Sequence, residues 1–176
     1  MKDIVIKYFV DRKDWRKWLE ANFETADAVW LQYPLKKTGK PRILYNDAVE
    51  EALCFGWIDS TVKSFNEESS IHKFCRRRKK SSFSQQNIER LKWLVENQLV
   101  NPSILDEAKK IIQQDFVFPH DILRRLQADK EVWAHYQAFS DSYKRIRIAY
   151  IDSARTKPEE FEKFKRTGMA TLRYKY

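Results

Sequence analysis

Apolar residues follow two patterns along the first third of this chain: short β-branched and aromatic runs, which predict strands, and a stripe at helical spacing, which predicts a helix. Residues 4–9, IVIKYF, and 27–33, DAVWLQY, are rich in β-branched and aromatic side chains, which predicts strands. Between them, an aromatic stripe at helical spacing predicts a helix over about 12–22, with Asp11 as its N-cap. We expect this stripe to pack in the core.

A short helix followed by a hairpin is predicted next. Asn46 is expected to cap the helix DAVEEALCF, and Gly56 stands where a left-handed glycine ends a helix. Residues 57–65, WIDSTVKSF, and 71–77, IHKFCRR, predict two strands joined by the polar turn NEESS. Strict alternation places one set of side chains on a common face, namely Trp57, Asp59, Thr61, Lys63 and Phe65.

From residue 84 the apolar spacing becomes helical. Ser84 is the expected cap of the first of these helices, and Asn101 followed by Pro102 starts the second. The segment FVFP at 116–119 interrupts the pattern. Further helices are expected over about 120–127, 130–138 and 141–155, and Pro158 is expected to open a last one.

Together these elements predict an α+β fold, with a small, mostly antiparallel sheet in the N-terminal part and a helix-rich C-terminal part. We expect an α+β domain over 1–116 and a small helical unit over 117–176. The chain has 176 residues, of which 43% are hydrophobic, and this is enough apolar material for a packed core.

Several classes of function are disfavoured by composition. Three glycines argue against a glycine-rich phosphate loop. Cys54 and Cys75 lack metal-ligand spacing and the three histidines lie far apart, so we expect no metal site and no cofactor. The N-terminus has no apolar signal region, and no window approaches the roughly 18 apolar residues of a membrane span. We therefore expect a cytoplasmic protein.

Positive charge is concentrated in one segment of this basic chain. The formal net charge is +9, and residues 71–80 hold six Lys or Arg and no acid. Such a field raises the encounter rate with nucleic acid and other polyanions, although a solvated basic face that aids solubility is the simpler explanation. The candidate anion-binding residues are Arg76, Arg77, Arg78, Lys79, Lys80, Ser81 and Ser84.

Residues 45–87 resemble a known family. YNDAVEEALCFGWIDSTVKSF and then FCRRRKKSSFSQQN are similar to the signature of the YdeI/OmpD-associated (OmdA, bacteriocin-protection) proteins. In that family Gly-Trp-Ile-Asp follows Ala-Leu-Cys-aromatic, and Phe-x-Pro-Arg and Ser-x-Trp-Ser-x-x-Asn come later. Here Arg76 stands at the proline position and Phe83 at the tryptophan position. FPHDILRRL and YKRIRIAYIDSART resemble the family's helical C-terminal domain.

The resemblance implies a bacterial protein associated with bacteriocin protection and envelope stress, without an established reaction. Its signature contains a candidate polar cluster, formed by Trp57, Asp59, Lys63, Arg77 and Asn87. A structural interpretation pairs Asp59 with Arg77 across the hairpin, buries Trp57 and lets Ser84 cap a helix. A second interpretation is anion or nucleic-acid binding, with bases stacked on an exposed aromatic ring.

Catalysis is the third interpretation, with acid, base and nucleophile types among Glu51, Asp59, Lys63, Arg77 and Ser84. Against it, an Asp beside an Arg is a poor base, and Cys54 on the inner side of a helix is expected to be inert. We therefore expect a non-enzymatic, stress- or envelope-related binding protein. A polyanion binder using residues 73–80 is the alternative, and the ligand, partners and oligomeric state are open.

Overall fold

A computed structural model describes residues 5–78, 83–157 and 159. The chain divides into two compact units. The first consists of Met1–Ser82 and Arg90–Ile112, and the second of Phe83–Glu89 and Gln113–Tyr176. The first unit contains a sheet and helices, whereas the described part of the second is helical.

A four-stranded sheet organises the first unit. Its strands are β1 (Ile6–Lys7), β2 (Ala28–Pro34), β3 (Trp57–Asn66) and β4 (Ser69–Arg76), in the order β1-β2-β4-β3. Strand β1 runs parallel to β2, and the other two pairings are antiparallel. The predicted α+β class with a small, mostly antiparallel sheet is confirmed.

Helix α1 (Arg12–Asn22) begins as the sequence predicts. The carboxylate of Asp11 accepts hydrogen bonds from the backbone N–H groups of Lys13 and Asp14, at 2.8 and 3.0 Å. The helix buries Trp15 and Leu19 completely, and the indole N–H of Trp15 donates to the carbonyl of Ala48 at 3.0 Å. The aromatic stripe is therefore core, as expected.

Helix α2 (Tyr45–Cys54) starts without the predicted cap. Leu44 occupies the N-cap position and makes no side-chain capping bond, while the Asn46 side chain instead accepts a hydrogen bond from Arg90. The helix already begins at Tyr45, so Asn46 lies inside its first turn and cannot cap it. Gly56 has φ +70° and ends the helix in the left-handed conformation, as predicted.

The hairpin of β3 and β4 is confirmed, but the strict alternation predicted for β3 is wrong. The register pairs Asp59 with Phe74 and Thr61 with Lys73, so Ser60 is an extra residue at a β-bulge. A bulge reverses the faces beyond it. Thr61 and Lys63 therefore lie on the face opposite to that of Trp57 and Asp59.

The remaining helices also follow the predicted pattern. They are α3 (Gln85–Glu96), α4 (Pro102–Ile112), α5 (His120–Gln127), α6 (Lys130–Ala138) and α7 (Asp141–Ser153). In the second unit, α5, α6 and α7 enclose their own core around Ile122, Leu126, Val132, Tyr136 and Ile148. The helix predicted from Pro158 lies, except for residue 159, outside the described residues.

Candidate functional site

Three residues of the family-like signature have structural partners. Trp57 is fully buried and donates from its indole N–H to the carbonyl of Phe23 at 3.2 Å. The Ser84 hydroxyl accepts from the backbone N–H of Asn87 at 3.3 Å, at the start of α3. These placements are the ones that the structural interpretation of the signature expects.

The predicted ion pair between Asp59 and Arg77 is wrong. Asp59 lies opposite Phe74, whereas Arg77 follows the end of β4, where its backbone N–H donates to the carbonyl of Gly56. The register thus separates the two side chains along the hairpin. The Arg77 guanidinium is 3.8 Å from a carboxylate oxygen of Glu107, and Asp59 accepts a hydrogen bond from Tyr45.

Lys63 is not part of a polar cluster with Asp59 either. Its ammonium lies 5.3 Å from the centre of the Trp30 ring, on the other face of the sheet. The bulge at Ser60 is the cause, because it turns Lys63 away from the face that carries Asp59. The structure therefore does not bring the predicted signature cluster together.

The basic segment is only partly described. Arg76 donates to the backbone carbonyls of Glu24 and Ala26, and Arg78 is exposed. Lys79, Lys80 and Ser81 lie outside the described residues. Because Arg76 is engaged within the fold, fewer of its donors are open to a polyanion. Polyanion binding by this segment stays a prediction.

A different polar group is assembled on the face of the sheet that carries Asp59. Its members come from the end of β2, the loop after it, the first residue of α2, and strands β3 and β4. We call it the Tyr33–His72 cluster, and it consists of Tyr33, Arg42, Tyr45, Asp59, Ser70 and His72.

Three aromatic rings define the geometry of this cluster. Tyr33 and His72 are diagonal neighbours on adjacent strands, with ring centres 4.4 Å apart. The Tyr45 ring lies 5.7 Å from that of His72, and its hydroxyl donates to the carboxylate of Asp59. The Arg42 guanidinium lies 5.9 Å from the centre of the Tyr33 ring and donates to the carbonyl of Pro34.

Two buried polar atoms of the cluster lack a hydrogen bond. Within the described ranges, nothing bonds to the hydroxyl of Tyr33 or to Nδ1 of His72, and both atoms are shielded from solvent. The Tyr33 side chain as a whole is buried, with 3% of its residue surface exposed. Leaving a buried polar group unpaired costs about 1–3 kcal/mol, so this arrangement is unusual for a purely structural region.

The pKa values of the cluster keep its three rings neutral at neutral pH. Burial raises the pKa of the Tyr33 hydroxyl, and burial together with the bond to Asp59 raises the pKa of Tyr45 to about 12. Burial lowers the pKa of His72, and the charge of Asp59 only partly opposes this. The cluster therefore offers two protonated phenols and a neutral imidazole.

The cluster contains a serine–histidine pair but no activated nucleophile. The Ser70 hydroxyl lies 3.3 Å from Nε2 of His72, while Nδ1 on the other side of the ring has no partner among the residues that the structure describes. A histidine that activates a serine is held by an acceptor on its second nitrogen. Asp59, the nearby carboxylate, is bonded to Tyr45 instead.

Glu51 belongs to a separate, structural charge group. It is buried at 4% exposure, and its two carboxylate oxygens lie 2.7 and 2.8 Å from the guanidinium groups of Arg12 and Arg16. Both acceptor oxygens are therefore occupied. Burial raises the pKa of the neighbouring Cys54 thiol to about 11, which makes it unreactive at neutral pH.

Metal-binding groups and membrane-spanning helices are both absent from the described residues. They hold no group of three or more His, Cys, Asp or Glu side chains arranged to bind a metal ion. Of the helices in the same part of the chain, none has the length and apolar content that a membrane crossing requires.

The sequence carried only a weak signal for the Tyr33–His72 cluster. Tyr33 ends a predicted strand and His72 is the second residue of another, but neither position is distinctive alone. Tyr33 and His72 become neighbours only through the pairing of β2 with β4. That pairing joins segments about 40 residues apart, and local patterns do not specify it.

Comparison with known families divides the chain in two. Residues 7–107, more than half of the chain, match a family model described as "Domain of unknown function (DUF8412)". Residues 115–163 match the model described as "Bacteriocin-protection, YdeI or OmpD-Associated". No curated protein and no solved structure matches significantly.

The second match confirms the family that the sequence suggests, but it covers residues 115–163 and not the signature at residues 45–87. It covers helices α5 to α7, where FPHDILRRL and YKRIRIAYIDSART lie, whereas residues 45–87 fall within the first match. The Tyr33–His72 cluster lies entirely within the first match as well. The chain belongs to the family of the domain of unknown function DUF8412, and its residues 115–163 match the YdeI/OmpD-associated family.

Proposed function

We propose that this chain is a non-enzymatic binding protein of the bacterial cytoplasm, with a stress- or envelope-related role, and that it binds a small organic molecule at the Tyr33–His72 cluster. The observation that carries the proposal is the pair of buried, unpaired polar atoms at Tyr33 and His72. A ligand that hydrogen-bonds to them would offset the cost of burying them.

Binding is favoured over catalysis by the state of the acid–base groups. The Ser70–His72 pair has no orienting acceptor within the described residues, since Asp59 is bonded to Tyr45 and not to the imidazole of His72. The Cys54 thiol is buried and its pKa is raised. Groups of this kind can hold and orient a ligand, but they do not include an activated nucleophile.

The physiological part of the proposal comes from the family match. The family matched by residues 115–163 is described as "Bacteriocin-protection, YdeI or OmpD-Associated". A cytoplasmic binding protein that responds to envelope stress fits that description. Cell fractionation tests the location, and a Tyr33→Phe strain should reproduce the stress sensitivity of a deletion strain.

The direct test is a library of small polar metabolites screened by thermal shift against the full chain. Hits should bind the Tyr33→Phe variant about tenfold more weakly, the equivalent of one lost hydrogen bond. Tyr136→Phe is the matched control, because Tyr136 is equally buried at 3% but lies in the second unit.

The proposal predicts that hits bind Tyr136→Phe as they bind the wild type and remain chemically unchanged after prolonged incubation. If no compound binds, or if every hit ignores Tyr33→Phe, the cluster is not a ligand site. Turnover of a hit would overturn the non-enzymatic assignment.

A further inference from the structure

Hydrogen-bonding groups of both kinds have unused capacity in the Tyr33–His72 cluster. The Tyr33 hydroxyl, with its raised pKa, remains a donor, and Nδ1 of His72 has no partner within the described residues. Asp59 accepts one hydrogen bond, from Tyr45, whereas an ionised carboxylate has about four acceptor positions. A ligand that both donates and accepts on one edge would use these groups together.

Charges of both signs act on the cluster, among them Arg90, which acts on Tyr45 and donates to the side chain of Asn46. Asp59 and Arg42 act on the ionisation of His72 with opposite signs, and His72 itself is neutral at neutral pH because its pKa is lowered. Asp47, which also acts on Tyr33, lies 3.4 Å from the guanidinium of Arg12. A charged ligand would lose its hydration beside the buried phenol of Tyr33, which is costly.

Ring surfaces in the cluster favour a flat ligand. Tyr45 is 42% exposed, and its ring is tilted by 56° against that of His72. Offset or edge-on contact with an aromatic ring contributes about 0.5–1.5 kcal/mol beyond burial. A planar molecule placed against the exposed Tyr45 ring would lie beside His72, whose ring centre is 5.7 Å from that of Tyr45.

We propose that the Tyr33–His72 cluster binds a neutral, planar molecule that presents a hydrogen-bond donor next to an acceptor, as amides, lactams and ureides do. This inference rests on the proposed function and narrows it to one class of ligand. Donor and acceptor face the Asp59 carboxylate and the Tyr33 hydroxyl, and the ring contacts Tyr45.

Three probes of one shape test this inference on the full chain at pH 7. Benzamide is neutral with a donor and an acceptor, benzoate is an anion, and benzamidinium is a cation. We expect benzamide to bind in ligand-observed NMR titrations about tenfold more tightly than either ion. Tyr33→Phe should weaken benzamide binding, and Tyr136→Phe should leave it unchanged.

The outcomes separate the class of ligand from the existence of the site. Tighter, Tyr33-dependent binding of benzoate or benzamidinium overturns the neutral-ligand inference and leaves the proposed function standing. If no probe binds but library hits depend on Tyr33, the inference again falls alone. If neither probes nor library hits depend on Tyr33, the proposed function falls with it.

Discussion

Replacing Tyr33 by Phe removes a single oxygen atom that is buried without a hydrogen bond in the described structure. The ring remains, with its contacts to His72 and Arg42. Since the hydroxyl contributes a desolvation cost and no partner bond, we expect the variant to be more stable than the wild type. This is the reverse of the usual effect of truncating a buried side chain.

The magnitude follows from the cost of an unpaired buried polar group, about 1–3 kcal/mol. We expect a gain of about 1 kcal/mol, because removing the oxygen also leaves a small void. Tyr45→Phe is the matched control. It deletes a hydroxyl that donates to Asp59 at a partly exposed position, and should cost about 1 kcal/mol.

Urea unfolding followed by tryptophan fluorescence measures both variants. With an m-value of about 2 kcal/mol/M, the midpoint should rise by about 0.5 M for Tyr33→Phe and fall by about 0.5 M for Tyr45→Phe. A midpoint for Tyr33→Phe that falls as far as that of Tyr45→Phe would refute the reasoning, because it would show that the Tyr33 hydroxyl is satisfied. A gain in stability with a loss of binding is typical of functional positions.

Three further predictions concern the stability contributed by Glu51, Gly56 and His72. Glu51→Ala should cost about 2 kcal/mol in urea unfolding, since it removes the buried carboxylate that Arg12 and Arg16 share. Glu50→Ala should cost less than about 1 kcal/mol, because its contact with Arg12 is longer and more exposed. Gly39→Ala should cost about 1 kcal/mol of stability, because Gly39 has a positive φ. Gly56→Ala should cost at least as much, because Gly56 also has a positive φ and its added Cβ would lie 3.4 Å from the Ile104 side chain. Between pH 7 and pH 5, the wild type should lose more stability than His72→Gln does. The pKa of His72 is lowered in the folded chain, so the unfolded chain binds the proton first and the free energy of unfolding decreases as the pH falls.

Each of these has a contradicting result. Equal costs for Glu51→Ala and Glu50→Ala would mean that the buried carboxylate contributes no more than a surface one. A smaller loss of stability for Gly56→Ala than for Gly39→Ala would contradict the proposed contact of the added Cβ with Ile104. Parallel pH profiles for the wild type and His72→Gln would show that His72 titrates alike in both states.

Local signals in the sequence were sufficient for most elements. The Asp11 cap, the aromatic stripe of α1 and the left-handed Gly56 all depend on neighbouring residues, and each was predicted correctly. The cap at Asn46 failed because α2 begins one residue earlier, at Tyr45. Helix ends are decided by small differences in free energy, which tertiary contacts such as that of Arg90 to Asn46 override.

The candidate site was beyond these local signals. Its two central residues, Tyr33 and His72, meet through the pairing of β2 with β4, and Asp59 lies on the same face because it pairs with Phe74, two residues from His72 on β4. Strict alternation contains no information about a bulge. The bulge at Ser60 places Lys63 on the opposite face, so this one irregularity removes Lys63 from the predicted cluster.

The most direct test of the central claim, that the Tyr33–His72 cluster holds a ligand, is NMR of the chain with isotope-labelled histidine. The protein has three histidines, His72, His120 and His135, and the last two lie in the second unit. On titration with a library hit or benzamide, the His72 ring resonances should shift in a saturable way while those of His120 and His135 stay in place. A ligand that shifts His120 or His135 and leaves His72 unchanged would contradict the account.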